Sequence, residues 1–240
     1  ELINAYGYDI PDGAKSFEAL NYYTNEMITI PLQEDLTARE NSIKYFERYN
    51  KLKRTYEALS KLTVETKEEI DHLESISNAL DIAVSYDDLV QLKEEMIEYG
   101  YIHRKGSKNK REKITSRPFH YISSDGFHMY VGKNNYQNEE LTFKLATGND
   151  WWFHAKNIPG SHVIVKTENK EIPDNTFEEA ARLAAHYSKA SKQEKVDVDY
   201  IQKKHIKKPA AAKPGFVIYH TNYSMTIDND SHKMGTLVEE

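Results

Sequence analysis

The sequence predicts an α+β chain in which a long coiled-coil helical arm precedes a compact mixed α/β domain. Three observations carry this prediction. Apolar residues recur at spacings of three and four from Tyr45 to Leu80, and no Gly or Pro interrupts residues 38–99. Beyond residue 116 the apolar pattern changes to short runs bounded by turn residues. Charge divides in the same way: residues 1–100 hold 10 basic and 21 acidic side chains, and residues 101–240 hold 22 and 17. The expected organisation is a small β-containing segment at 1–36, coiled-coil helices at 37–100, a basic linker at 101–115 and the mixed domain at 116–240.

In the first segment, apolar runs at 17–23 and 27–32 flank Thr24, Asn25 and Glu26, which suits a hairpin. About 36 residues bury too little surface to fold alone, so this segment must lean on another element. Thr37 followed by Glu40 is a capping box. Tyr45, Tyr49, Leu52, Tyr56, Leu59, Ile70, Leu73 and Leu80 then form a heptad seam, weakened by Thr63, Thr66 and Ser77. A single helix is favoured over a hairpin turning near 62–66. Ser85 with Asp88 restarts a helix over about 86–98, and Gly100 stops it. The run HRKGSKNKREK at 103–113 marks the boundary.

In the second half, Ser-Ser-Asp-Gly at 123–126 joins strands at 119–122 and 127–131. Further strands are expected at 141–145, 151–154, 162–167, 196–200, 216–220 and 224–227. One helix is expected after Thr176, whose Thr-x-x-Glu pattern with Glu179 reads as its cap.

The absence of Cys excludes disulfides and thiolate chemistry. No apolar run reaches the roughly 18 residues of a membrane span, and no signal peptide is visible. The chain opens on Glu1 and reads as a piece of a longer protein. No phosphate-binding glycine loop, zinc spacing or other cofactor motif occurs, so neither a cofactor nor a metal is expected. Ser161 beside His162 resembles a nucleophile with its base, but adjacent strand residues point to opposite faces. No catalytic residue is therefore assigned.

Three clusters could hold an anionic polymer. Lys133, Asn134, Asn135, Gln137 and Asn138 follow a strand and offer amides and a charge to phosphate, sugar or base edges; a plain polar turn is the competing reading. Trp152, His154, Ser161 and His162 could form a stacking and hydrogen-bonding wall, although Trp152 reads equally well as core. Lys207, Lys208 and Lys213, with Lys203 and Lys204 upstream, are a phosphate-binding footprint or a solvated surface.

These stretches resemble the NFACT family. GFHMYVGKNNYQNEELTFKLATGNDWWFHAKNIPGSHVIVKT at 126–167, AARLAAHYSKASKQEKVDVDY at 180–200 and KKPAAAKPGFVIY at 207–219 look like its C-terminal RNA-binding module. Residues 40–53 and 71–80 look like its coiled-coil helix, and residues 1–23 like the segment at the coiled-coil tip. The family's small-residue loop often carries Gly where this chain has Ala210-Ala211-Ala212, which restricts the backbone there.

The resemblance implies a ribosome-associated quality-control factor that recruits tRNA to stalled large subunits, so that nascent chains gain C-terminal tails. It implies the large ribosomal subunit, tRNA and rRNA as partners, a cytoplasmic location and a binding role without catalysis. The twelve residues in the three clusters then become nucleic-acid contacts. The coiled coil's first helix would precede residue 1, so this chain alone would re-pair its seam in a homodimer. Some relatives carry the name fibronectin-binding protein, which makes a surface adhesin that binds fibronectin the alternative.

Overall fold

The computed structural model describes residues 1–104, 114–210 and 212–238. Most of the expected basic linker, at 105–113, lies outside the described residues. Two compact units comprise residues 1–68 and 69–240, and they divide inside a single unbroken helix.

The first unit opens with a short helix, α1 (Leu2–Tyr6), that the sequence reading did not anticipate. Strands β1 (Ser16–Asn21) and β2 (Glu26–Pro31) then pair antiparallel, Ser16 opposite Pro31 and Asn21 opposite Glu26. The hairpin turn takes residues 22–25 in place of the expected 24–26, with Asn25 in the left-handed conformation at φ 57°. Helix α2 (Ala38–Ile82) starts at the expected box: Glu40 N–H donates to Thr37 Oγ1 at 3.3 Å, and Thr37 N–H donates to Glu40 Oε2 at 2.8 Å. Buried Asn41 fixes the entry by accepting from Gln33 N–H at 2.8 Å and donating to the Leu36 carbonyl at 3.1 Å. Tyr45 OH donates to the Pro31 carbonyl at 2.7 Å, joining hairpin to helix. Further along, Tyr49, Leu52, Tyr56 and Leu59 stand 59, 59, 74 and 56 % exposed, so nothing in this unit covers the seam.

In the second unit, the end of α2 buries a different stripe. His72, Ile76 and Ala79 are buried, whereas the seam residues Leu73 and Leu80 face out. The buried stripe is held by polar contacts, with Asn78 donating to the Tyr187 carbonyl at 3.4 Å and Lys189 Nζ reaching Asp81 at 2.6 Å. Helix α3 (Tyr86–Glu98) has the expected capping box between Ser85 and Asp88, and it ends at Gly100 in the left-handed region at φ 77°.

A seven-stranded antiparallel sheet follows. Its strands are β3 (Phe119–Ile122), β4 (His128–Val131), β5 (Trp151–Ala155), β6 (Val163–Val165), β7 (Lys195–Gln202), β8 (Tyr223–Asp228) and β9 (Thr236–Leu237), in the order β8-β7-β5-β6-β4-β3-β9. Alternation on each strand gives two cores. Met129, Val131, Phe153, Val163 and Val165 pack under α5 (Asp174–His186) on one face. Trp152, Ile164 and Ile201 pack on the other under Leu141, Ala146 and Ile206. Full burial of each large apolar side chain contributes about 1.5–3 kcal/mol.

Four local expectations are corrected. The polar stretch 133–138, expected as a contact loop, instead leads into α4 (Asn135–Glu140) with Asn134 as its cap, because Asn134 Oδ1 accepts from Gln137 N–H at 3.0 Å. Residues 141–145 continue α4 as a π-helical turn rather than a strand, closed by Ala146 N–H on the Leu141 carbonyl at 2.9 Å. Helix α5 begins two residues before Thr176, after Pro173. Thr176 and Glu179 instead tie down the β3–β4 turn, Thr176 Oγ1 donating to Asp125 at 2.9 Å and Glu179 accepting from Ser124 N–H at 2.9 Å. Finally, residues 216–220 form only one bridge, Lys207 with Ile218, because the chain crosses over the second core with Val217 and Tyr219 packed down.

Candidate nucleic-acid interface

The polar loop is positioned by the end of β4 and the start of α4, and its amides turn inward. Asn134, Asn135, Gln137 and Asn138 are all buried. Asn134 Nδ2 donates to Gln91 Oε1 at 2.8 Å, and Gln137 Nε2 donates to the same oxygen at 2.9 Å and to Ser116 Oγ at 2.7 Å. Asn135 Nδ2 donates to Ser75 Oγ and Glu95 Oε1, both at 2.8 Å. Asn138 Oδ1 accepts from His162 N–H at 3.0 Å. The close approach at Gly132 follows, since a Cβ there would lie 2.2 Å from Asn138 Oδ1. Lys133 Nζ sits 3.2 Å from Asp88 and 4.5 Å from the Phe119 ring centre. Burial pushes the Asp88 carboxyl up, but bonds from Ser116, the Val84 N–H and Ser85, with the charge of Lys133, outweigh it and hold it below the usual carboxylate range. The loop thus docks helices α2 and α3 onto the sheet.

Trp152, His154 and His162 do come together on the sheet face away from α5. Their ring centres are 5.5 Å apart for Trp152 and His154, 5.1 Å for Trp152 and His162, and 5.6 Å for the two imidazoles. Trp152 is fully buried and packs in the second core, as the core reading of it expects. Burial lowers His154 to about 4. Burial, then the neighbouring His154, lowers His162 well below its ordinary value. Both rings are therefore neutral at pH 7, and His162 Nδ1 lies 2.7 Å from Thr142 Oγ1. Ser161 is buried, and its hydroxyl has no hydrogen-bond partner among the described residues.

The lysines differ from one another. Lys207 is exposed, as is Lys204 on the turn of 3₁₀ helix Lys203–His205 that follows β7. Lys203 is half-buried, its ammonium 5.9 Å from the Phe143 ring centre. Lys208 pairs with Glu139 at 2.7 Å. Lys213 turns back to Tyr101 OH at 3.1 Å and lies 5.5 Å from the Tyr99 ring centre. Ala211 of the small-residue loop is outside the described residues. The accessible basic edge is thus 203–207, whereas the amides of 134–138 are buried.

Comparison with known proteins fits this arrangement. Residues 1–115 match the family described as NFACT N-terminal and middle domains, and residues 117–221 match the NFACT protein RNA binding domain. The fold matches the C-terminal part of a fibronectin/fibrinogen-binding protein from Streptococcus suis with a TM-score of 0.75. The two are 41 % identical, over 84 % of this chain and 80 % of that one. The chain belongs to the NFACT family. Among curated NFACT relatives, the Rqc2 homolog RqcH of Streptococcus pneumoniae (strain D39) is 40 % identical over 99 % of this chain and 42 % of its own length. The Rqc2 homolog RqcH of Bacillus subtilis is 37 % identical over 96 % of this chain and 41 % of its own. The chain thus spans about two fifths of these relatives.

Within this NFACT chain, sequence reasoning missed the partners of the polar loop. They are Asp88, Gln91 and Glu95 on α3, Ser75 on α2 and Ser116, with His72 of α2 bonded to Glu95 behind them. His72 Nε2 lies 3.0 Å from Glu95 Oε1, and His72 Nδ1 lies 2.9 Å from Tyr101 OH. A signal existed: Asp88, Gln91 and Glu95 recur at spacings of three and four, a polar stripe on one helix face. The matching Asn-x-x-Gln at 134–137 is itself a helix-start pattern.

Proposed function

We propose that this chain is the RNA- and ribosome-binding part of a ribosome-associated quality-control factor. It serves recruitment of tRNA to stalled large subunits, where nascent chains receive C-terminal tails. The carrying observation is the match of residues 117–221 to an RNA-binding domain that carries the accessible lysine edge at 203–207. The likeness to about two fifths of proteins named RqcH, over nearly the whole of this chain, supports the wider role. The chain acts by binding and positioning, and peptide transfer belongs to the ribosome. The role places the protein in the cytoplasm, and no helix of the described residues is long and apolar enough to cross a membrane.

The exposed seam of α2 is continuous with an apolar groove of about 1030 Å³ beside Ile43, Phe46 and Tyr49. For this chain alone, a second copy covers it. The test of the main reading is binding to labelled tRNA across a salt series, with Lys207→Ala/Lys208→Ala beside the parent. Affinity that falls steeply with salt and drops in the variant supports it. Salt-insensitive binding, or none, overturns it. The Streptococcus suis relative's name favours one second reading, a fibronectin-binding surface protein. Tight fibronectin binding by a chain indifferent to tRNA would select that reading.

A further inference from the structure

Strand β8 is the edge of the sheet away from β9, and its first residue is an exposed tyrosine. Strand alternation places Tyr200 of β7 on the face under α5 with Val196 and Val198, and the register sets Tyr223 opposite Tyr200. The Tyr223 ring stacks on that of Tyr200, with centres 5.5 Å apart and planes 27° apart, and meets the Trp151 ring at 6.3 Å. Tyr200 and Trp151 are themselves 5.8 Å apart, so both lie on one side of Tyr223. From α5, the Phe177 ring packs on Trp151, Phe153 and Tyr200 at 4.9, 5.8 and 5.6 Å. Its cover stops there: among the described residues, the Tyr223 ring meets no ring besides Tyr200 and Trp151. Tyr223 stands 59 % exposed, so its outer face is open. A ring backed on one face and open on the other is a platform for an unpaired nucleobase.

The charge at the same end of the sheet suits a polyanion. Lys203 directly follows β7, and its N–H donates to the Asp150 carbonyl at 2.9 Å. Lys204 N–H donates to the Gly148 carbonyl at 3.1 Å, which ties the lysine turn to the chain leading into Trp151. Neither ammonium has a carboxylate partner among the described residues. Asp199, the acid next to Tyr200, lies on the opposite face, where it accepts from Ser224 and is matched by Lys156 at 3.7 Å.

We propose that Tyr223 is the stacking site for one unpaired base of a single-stranded RNA whose phosphates rest on Lys203 and Lys204. The inference rests on the RNA-binding reading and deepens it, by giving the lysine edge a neighbour that reads bases. The lysines hold any phosphate backbone. The ring adds affinity only where a base is free to leave its own stack, so the site selects single strands over duplex.

The test uses the full chain with two labelled 12-mers at low salt, an unstructured single-stranded RNA and its abasic sugar-phosphate counterpart. The parent should bind the base-bearing strand about tenfold more tightly, the order expected for one stacked base. Tyr223→Leu keeps an apolar cover over Tyr200 but has no aromatic face. It should bring RNA affinity down to that of the abasic strand and leave the salt slope unchanged. Tyr223→Phe should bind like the parent, and a loss there equal to that of Tyr223→Leu overturns stacking as the cause. Equal affinity of the parent for the two strands overturns the proposal. So does a Tyr223→Leu protein that binds RNA like the parent, and if that binding still weakens with salt, the RNA-binding reading survives. If the parent binds neither strand at any salt, both fall together.

Discussion

Two stretches of this chain look alike in composition and behave oppositely. Residues 133–138 and residues 203–208 are both dense in groups that suit phosphate and base edges. In the first, the amides are buried and bonded to Gln91, Glu95, Ser75 and Ser116. In the second, Lys204 and Lys207 stand in solvent. The difference comes from what packs against each stretch. The first begins a helix that faces a polar stripe on α3, and an unmet amide there would cost about 1–3 kcal/mol. The second lies on a turn beyond a strand end, where a solvated ammonium costs nothing. Residue type gives a capacity for hydrogen bonds, and packing decides where that capacity goes.

The largest effect expected from this contrast is a pH dependence of folding. His154 and His162 belong to the interior set, and burial lowers both. The unfolded chain takes up these protons near pH 6.5, while the folded chain does not until about 4 at His154. Stability is therefore full above pH 6.5 and is lost as pH falls from 6.5 toward 4. His154 alone should account for about 2 kcal/mol between pH 7 and pH 5, with His162 adding in the same direction. Urea midpoints at the two pH values measure this, and His154→Gln should flatten the difference. If the imidazoles were instead solvent-facing phosphate contacts, RNA affinity would rise as pH falls and stability would stay level.

Next in size is Asn135→Ala, which removes the donor shared by Ser75 and Glu95. Glu95 Oε2 already has no hydrogen-bond partner among the described residues, so the carboxylate has little to spare. A loss of about 2 kcal/mol by urea unfolding is expected, with RNA affinity of the folded protein unchanged. An Asn135→Ala protein of parental stability and weakened RNA binding would return the amide loop to the interface.

The lysine edge gives a smaller free-energy change with a sharper signature. Replacing Lys203, Lys204 and Lys207 by Ala together should lower tRNA affinity about tenfold and reduce the salt slope by roughly two, at about 0.7–0.9 per phosphate. Folding stability should be unchanged within about 0.5 kcal/mol. Overall charge cannot replace these positions, because residues 114–240 carry 16 basic and 16 acidic side chains. The basic excess of the second half sits at 104–113, so local placement decides the binding edge.

Elements whose signals are local were legible in the sequence. The Ser-Ser-Asp-Gly turn with Gly126 at φ 84°, the boxes at Thr37 and Ser85, and the stop at Gly100 all depend on a few neighbouring residues. The α+β class followed from the change in apolar period. What was not legible depended on partners far along the chain. Asn135 meets Ser75 and Glu95 at separations of 60 and 40 residues, and Thr176 meets Asp125 at 51. A Thr-x-x-Glu pattern has two uses, as a cap or as a tie to another turn, and only the packed neighbour selects between them. The ring cluster that ends at Tyr223 joins residues 151, 177, 200 and 223 and leaves no mark on any single stretch.

The smallest folding effect concerns α2, whose two faces repeat the same contrast within one helix. Its heptad seam is the stronger apolar pattern, yet Leu52 and Tyr56 are exposed, while His72, Ile76 and Ala79 on another stripe are buried. Apolar periodicity found the helix but not the face that this chain covers by itself. Leu52→Glu with Tyr56→Glu should therefore change unfolding of the isolated chain by no more than about 0.5 kcal/mol, since no buried group is touched. The same variant should abolish self-association, because two carboxylates would be desolvated in an apolar seam. Sedimentation at micromolar concentration reads both arms: a dimeric parent and a monomeric variant of equal stability place the seam between copies. A monomeric parent would mean that the seam stays solvated in this chain, and that its heptad spacing serves a partner other than a second copy.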